Sequence, residues 1–356
     1  MSRARDFADL AGSADAGGLT GRNLIINGNM SVAQRGASST SAGINSVDRW
    51  NAAFGGSGAA VTQSKESLAS SDAPYALGLR NYFRSTVTGQ STDTAAYHQI
   101  LQYVEAQNMA QSGWNLTSTS SFITLSFWVR SSLAGTYAFY VESMDGTPQA
   151  YSHSFTLSAN TWTKVTETMP GNSNITINND NGQGLLVDIV AHFGTNYTTS
   201  SSTEDAWKQF DTTDVFKDYG QNWLNTSSAT FDVTGVQLEV GTATPFEHED
   251  FGTTFRKCQR YFELLGHAME GTSDGFSLMS LPFNGATGNQ WIDIPFMVEK
   301  RAAPTSIVAF NGYTLPTTSG IGFSTNGMTL YHTSQMLFTK SGGSSGDAVA
   351  SVSAEL

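Results

Sequence analysis

The sequence predicts an all-β protein: a jelly-roll β-sandwich followed by a smaller C-terminal β domain. Three observations predict it. Charged residues make up 13% of the 356-residue chain, half the ~25% usual in soluble domains, so polarity rests on Ser, Thr, Asn, Gln and Gly. Gly outnumbers Pro by 35 to 8, the balance of short strands joined by tight turns. Apolar residues alternate in short runs spaced by roughly 10–20 residues, with no long helical period among them.

Residues 1–22 are read as a docking peptide and linker. Arg3 to Leu10 could form two helical turns, and Ala11 to Thr20 is rich in small residues. Met1 to Phe7 lacks the apolar core of a signal peptide, so folding in a reducing cytoplasm is expected. Cys258 is the single cysteine, which excludes an intrachain disulfide. No apolar run is long enough for a transmembrane helix.

Residues 23–251 form the expected jelly roll. Leu24-Ile25-Ile26 opens the first strand, and Asn27-Gly28-Asn29 is a turn or bulge signal. After a small-residue loop, Val47-Asp48-Arg49-Trp50 leads into Phe54. Further strands are expected at Ala59 to Ser64, Ala76 to Phe83 and Tyr97 to Glu105. Phe122 to Arg130 alternates most cleanly: Ile123, Leu125, Phe127 and Val129 form an apolar face, and Thr124, Ser126, Trp128 and Arg130 a mixed one. Tyr137 to Val141 repeats the pattern after a short turn, which predicts a hairpin. Ser152 to Leu157, Thr161 to Thr168 and Gly184 to Ala191 follow. Tyr197 to Asn225 is a long acidic connection, a length often associated with function or partial disorder. Phe231 to Val240 is the closing strand. Asn23–Trp50 and Phe231–Gly241 are expected to close the sandwich between them.

Residues 252–356 form the expected C-terminal domain. Its strands are placed at Gly275 to Phe283, Gln290 to Val298, Ser306 to Phe310, Gly320 to Phe323 and Met328 to Tyr331.

The net charge of −12 argues against a nucleic-acid partner and an anionic membrane surface, since both call for clustered Lys and Arg. The acidity sits in residues 23–251, with 9 basic against 20 acidic side chains. The six histidines are scattered, and none has a second His four residues away, so no zinc pattern is visible. Gly-x-Ser-x-Gly spacing occurs at Gly271 to Gly275 and in the Gly/Ser turn Gly342 to Gly346, neither between an apolar strand and a helix as a nucleophile elbow requires, and there is no phosphate loop, so no enzyme is expected; paired carboxylates stay open, because they need only meet in space. In Asn178-Asn179-Asp180-Asn181-Gly182, side-chain oxygens such as that of Asp180 could hold a structural calcium ion or simply make the turn. No other cofactor is expected. Aromatic faces stack on sugars, and neighbouring polar groups read the hydroxyls. Trp128 with Arg130 on the mixed face is the first candidate for this; the alternative is a core or subunit interface. Trp114 and Trp207 lie in polar loops and could be exposed, whereas Trp50, Trp162 and Trp223 are expected in the core.

Several of these motifs together resemble phage and prophage tail-fibre-like proteins. They are Asn23-Leu24-Ile25-Ile26-Asn27-Gly28-Asn29, Gln34-Arg35-Gly36, Asp48-Arg49-Trp50, Leu125 to Arg130, Gly235-Val236-Gln237-Leu238-Glu239-Val240-Gly241, Ala243 to Glu247 and Cys258 to Phe262. The likeness spans residues 23 to about 262. It implies a jelly roll like those of carbohydrate-binding modules, carried on the virion as a homotrimeric short tail fibre or spike. It also implies adhesion to a host cell-surface glycan and docking on tail or capsid proteins through residues 1–22. The shared motifs read as scaffold: Asp48 and Arg49 are expected to pair, and Gln237 and Glu239 to satisfy backbone at an edge. The rival readings are a capsid-decorating or tail-scaffold protein without receptor specificity and, further off, a polysaccharide-degrading enzyme.

Overall fold

The computed structural model describes residues 21–219, 222–265, 290–309, 320–332 and 350–356. The docking peptide, up to residue 20, and the strand expected at Gly275 to Phe283 lie outside the described residues. The chain divides into two compact units, one ending at Phe251 and the other starting at Gly252.

Among its described residues the first unit has twelve strands. In chain order they are β1 (Ser38–Ser39), β2 (Asn51–Gly55), β3 (Ala60–Ser67), β4 (Asn81–Gly89), β5 (Tyr97–Glu105), β6 (Phe122–Ser131), β7 (Gly135–Ser143), β8 (Gln149–Leu157), β9 (Thr163–Pro170), β10 (Gln183–Phe193), β11 (Trp207–Gln209) and β12 (Thr230–Val240). They form two six-stranded sheets. The first has the order β1-β3-β4-β12-β6-β9 and the second β11-β8-β7-β10-β5-β2. The chain crosses repeatedly between sheets, and the all-β sandwich expected from the alternation is present.

The alternation decides what each strand buries. Ile123, Leu125, Phe127 and Val129 of β6 are fully buried between the sheets. They meet Phe139, Val141, Val187 and Ile189 of the second sheet in one core. Phe127 and Phe139 meet edge to face at 5.7 Å. Each such side chain contributes roughly 1.5–3 kcal/mol on burial.

The expected hairpin of β6 and β7 is not formed. β6 pairs with β12 and β9, and β7 with β8 and β10, so the turn between them crosses from one sheet to the other. Alternation specifies a buried face but not whether the next strand lies beside it or across the core. Tyr137 fixes the corner: its hydroxyl lies 2.6 Å from Ser131 Oγ and donates to Leu133 O at 3.0 Å.

The segment from Asn23 to Trp50 and the closing strand do meet. Gly235, at φ 61°, sits in a bulge of β12. Before the bulge, Thr230 to Val233 pair with β4. Beyond it the incoming segment takes that neighbouring place. Leu24 N–H donates to Leu238 O at 2.9 Å and Val236 N–H to Gly28 O at 3.0 Å. Asn23 donates from Nδ2 to Val236 O and accepts at Oδ1 from Leu238 N–H. On its other side Gln102 of β5 grips Ile26 twice, Oε1 accepting from the N–H at 2.8 Å and Nε2 donating to the carbonyl at 2.9 Å. One segment is therefore bonded to both sheets.

Asn27, buried at φ 60°, completes this strap. Its Nδ2 donates to Val32 O and Asp48 O, its Oδ1 accepts from Val32 N–H, and its carbonyl accepts from the indole of the buried Trp50 at 3.0 Å. Asp48 accepts from Gln34 N–H and Nε2 and pairs with Arg35 at 3.7 Å. Arg49, at φ 73°, sends its guanidinium to Tyr103 O at 2.7 Å. Gln237 and Glu239 hold the outgoing chain: Glu239 accepts from Thr244 N–H and hydroxyl, and Gln237 Oε1 accepts from Glu247 N–H. Glu247 in turn accepts from Asn23 N–H at 2.8 Å.

The second unit begins within the helix Phe251–Gln259 and, among its described residues, holds two three-stranded sheets. One sheet has the order Phe262–Leu265, Ala350–Ser353, Ile307–Ala309; the other Gln290–Pro295, Gly327–His332, Gly320–Phe323. The helix was not expected, because its apolar residues are few. It carries the buried Cys258. Lys300 is buried and ion-paired with Glu263, and donates to Gln259 O at 2.6 Å.

The strap yields a prediction. A Cβ on residue 28 would lie 2.1 Å from Val236 O, a backbone atom with no freedom to swing aside. Gly28→Ala is expected to lower stability by about 2–3 kcal/mol, read as a reduced urea midpoint. An unchanged midpoint would show that the strap yields freely.

Candidate ligand pocket

The long connection after β10 folds back on itself over residues 197–219. Thr198 makes a parallel bridge to Phe216, Thr199 N–H donates to Phe216 O, and Val215 N–H donates to Tyr197 O. Val215 and Phe216 pack on the outer face of the second sheet with Leu101, Tyr140, Leu186 and Val190. Tyr197 anchors the start: its hydroxyl donates to Ala95 O at 3.1 Å, and its ring meets Tyr97 edge-on and Phe193 at 5.0 Å.

Where this connection passes the ends of β5 and β10 it leaves an open pocket of about 260 Å³. Ser91 to Thr94 supply one wall, His192 to Thr195 another, and Thr198, Asp218, Tyr219, Asn222 and Asn225 the third. Asp93 accepts from Ala95 N–H and Ser57 N–H, which holds its carboxyl below the usual range and keeps it ionised. Asp218 accepts from the Thr198 hydroxyl at 2.6 Å. His192 is buried and, among the described residues, its Nδ1 has no hydrogen-bond partner. Burial pulls its pKa down to about 4, so the imidazole is neutral near pH 7. Among the described residues the Tyr219 hydroxyl is also without a hydrogen-bond partner, and burial, then the charge of Glu204, pushes its pKa up. Carboxylate acceptors, amides that both donate and accept, and hydroxyls thus converge beside the Phe193 ring. That set matches a ligand with several hydroxyl groups.

The residues singled out from sequence lie elsewhere. Trp128 and Arg130 do share the outer face of the first sheet. Arg130 is tied to Asp232 at 2.8 Å and Asp72 at 3.2 Å, and lies over the Trp162 ring at 4.5 Å. Arg84 binds the same Asp232 at 2.8 Å from the opposite strand. Trp128 is partly buried in a small cluster with Leu68, Leu79, Tyr82 and Phe246. Trp162, expected in the core, belongs to this outer cluster.

Trp114 and Trp207 come together, with ring centroids 6.4 Å apart, but not as an exposed pair. Trp114 is buried in the main core and Trp207 packs against it, its indole donating to Pro170 O at 2.6 Å. Polar neighbours in sequence gave no sign that both loops fold over the sandwich end. Asp180 is exposed and makes the turn: Oδ1 accepts from Gly182 N–H and its carbonyl from Gln107 N–H. The pocket residues were missed because they come from three segments; the one available signal was the length and acidity of the connection carrying Asp218.

Two acids on the second sheet are buried. Asp188 is wholly buried across from Tyr140, and burial pushes its carboxyl well above the usual range. Burial likewise pushes Glu142 up to about 7.

No protein-family model and no curated protein sequence matches the chain. Solved structures do. The enzymatically active domain of tailspike protein 4 of bacteriophage CBA120 is 10% identical, with 62% of this chain and 21% of that chain covered and a TM-score of 0.34. The carbohydrate-binding module TmCBM61 in complex with β-1,4-galactotriose is 9% identical over 62% and 99%, TM-score 0.28. A Stig cyclase from Fischerella sp. TAU is 10% identical over 63% and 98%, TM-score 0.36. Likenesses this distant carry no function across.

Glu142 sets a pH dependence. Its proton is held in the folded chain up to about pH 7 and lost from the unfolded chain near 4.5. Its contribution is therefore full below pH 4.5 and is lost as pH rises to 7. Wild type is expected to lose about 3 kcal/mol relative to Glu142→Gln across that window, measured by urea unfolding at the two ends. A constant difference would refute the shift. His192 and the fully buried His98, pulled to about 3 by burial and the neighbouring His192, act in the opposite sense: their contributions are lost as pH falls below 6.5.

Proposed function

We propose that the chain is a virion adhesin, a short tail fibre or spike that binds a host surface glycan reversibly as a homotrimer. The observation that carries the glycan reading is the pocket. Its polar lining is built from side chains with alternating donor and acceptor capacity, while the two carboxyls with raised pKa are buried away from it. Asp93 and Asp218 would accept from sugar hydroxyls, Asn222 and Asn225 would donate to ring or hydroxyl oxygens, and Phe193 would offer an apolar edge. The motif set from Asn23 to Phe262 supports the virion reading. Residues 1–22 would dock on a tail or capsid protein. One such pocket is small and its affinity weak; three on one trimer raise the effective affinity by avidity.

The test is a glycan array of bacterial surface polysaccharides probed with the full-length chain. Binding is expected, with Asp218→Asn weakening it at least ~10-fold, the usual cost of removing a charged hydrogen-bond partner. Absence of binding to every bacterial polysaccharide would overturn the glycan reading. Light scattering is expected to give about three times the chain mass of 38.1 kDa; a stable monomer would remove the trimer and, with it, the avidity.

A further inference from the structure

On the side of the sandwich away from the strap, β9 is the edge of the first sheet and β8 lies next to the β11 edge of the second. Three side chains of metal-ligating type meet there: His153 of β8, Glu167 of β9 and Asp205 on the approach to β11. Their ligand atoms all lie within 4.8 Å of one another. His153 Nδ1 is 2.7 Å from Asp205 Oδ1 and 3.7 Å from Glu167 Oε2. Two ligands of a tetrahedral zinc ion, each ~2.0–2.1 Å from the metal, sit about 3.4 Å apart, a value these two distances bracket.

The supporting groups are already in place. The Tyr151 hydroxyl donates to Glu167 Oε1 at 2.7 Å, leaving Oε2 to face the imidazole. Such outer hydrogen bonds fix the orientation of metal-ligating carboxylates. The His153 ring rests against Phe139 at 5.4 Å, which limits its rotation. Among the described residues, the ion-pair partner of both carboxylates is His153 alone, so two anions share one imidazole with no Lys or Arg to offset them. The Asp205 side chain is 63% exposed, which leaves room for adjustment and a solvent-facing fourth position.

We propose that His153, Glu167 and Asp205 bind a transition-metal dication of the zinc type and so staple the two sheets. The imidazole nitrogen selects against calcium and magnesium, which take oxygen ligands, and favours zinc, cobalt or nickel. The site is separate from the glycan pocket and does not rest on that reading.

The test uses the full-length, chelator-treated chain without a polyhistidine tag. Titration calorimetry with zinc chloride is expected to show one site per chain, and saturating zinc to raise the thermal midpoint by roughly 5–10 °C. Cobalt is expected to give visible absorption bands of a low-coordinate site. Glu167→Gln and Asp205→Asn keep the shape of each side chain, so both are expected to fold; each should weaken zinc binding at least ~10-fold and, at the same zinc concentration, cut the thermal shift by roughly half or more. No zinc binding, binding unchanged in both variants, or calcium binding as tightly as zinc would overturn the proposal. A zinc-independent His153–Asp205 hydrogen bond is then the whole of the contact.

Discussion

The first unit depends on a backbone segment that belongs to neither sheet and is hydrogen-bonded to both. Ile26 takes the amide of Gln102 from one side, while Leu24 and Gly28 take the far half of β12 from the other. A sandwich of two antiparallel sheets has exposed edges, whose unpaired N–H and C=O groups are a standing liability. Here the bulge at Gly235 ends the pairing with β4, and the strap satisfies the groups that are left. The wholly buried Trp50, whose indole binds Asn27 O, ties the apolar core to this polar seam. Burial alone does not fix the register of two sheets. Directional bonds from Asn27 and Gln102 do, because each is costly to leave unmade.

With both outer faces occupied, the open pocket lies at the end of the sandwich. The first sheet carries Asp232 clasped by Arg84 and Arg130, roofed by Tyr82 and Trp162. A buried carboxylate between two guanidiniums is worth little in net stability against an apolar replacement but costs several kcal/mol when one partner is lost. It therefore specifies the arrangement of β4, β12 and β6 more than it stabilises it. The second sheet is roofed by the connection bearing Val215 and Phe216. The same connection, once pinned by Tyr197, is what walls the pocket.

Much of the fold was legible in the sequence, because period-two alternation is a local signal. The faces of β6 and the meeting of the two motif-bearing ends could be read directly. The sheet to which a strand belongs could not, since β6 and β7 show the same alternation whether paired or opposed. Trp114 and Trp207 illustrate the limit for sites. Polar flanking residues suggest exposure, yet indole burial is decided by where the loops fold, a property of chain crossings distant in sequence. Arg130 was placed on the right face, but its partner Asp232 lies 102 residues away. The pocket and the His153–Glu167–Asp205 group have the same character: each draws on several segments with no shared spacing.

The clamp that joins the two ends of the first unit has a mechanical consequence. Glu247 holds the backbone at Asn23, and Gln237 and Glu239 hold the outgoing chain at Thr244 and Glu247. A pull applied at residue 21 and residue 250 therefore runs through a few hydrogen bonds at one corner and does not traverse the twelve strands. The sandwich hangs beside the line of tension like a bead on a closed loop. Its rupture under load is governed by the lifetime of that corner rather than by the stability of the core.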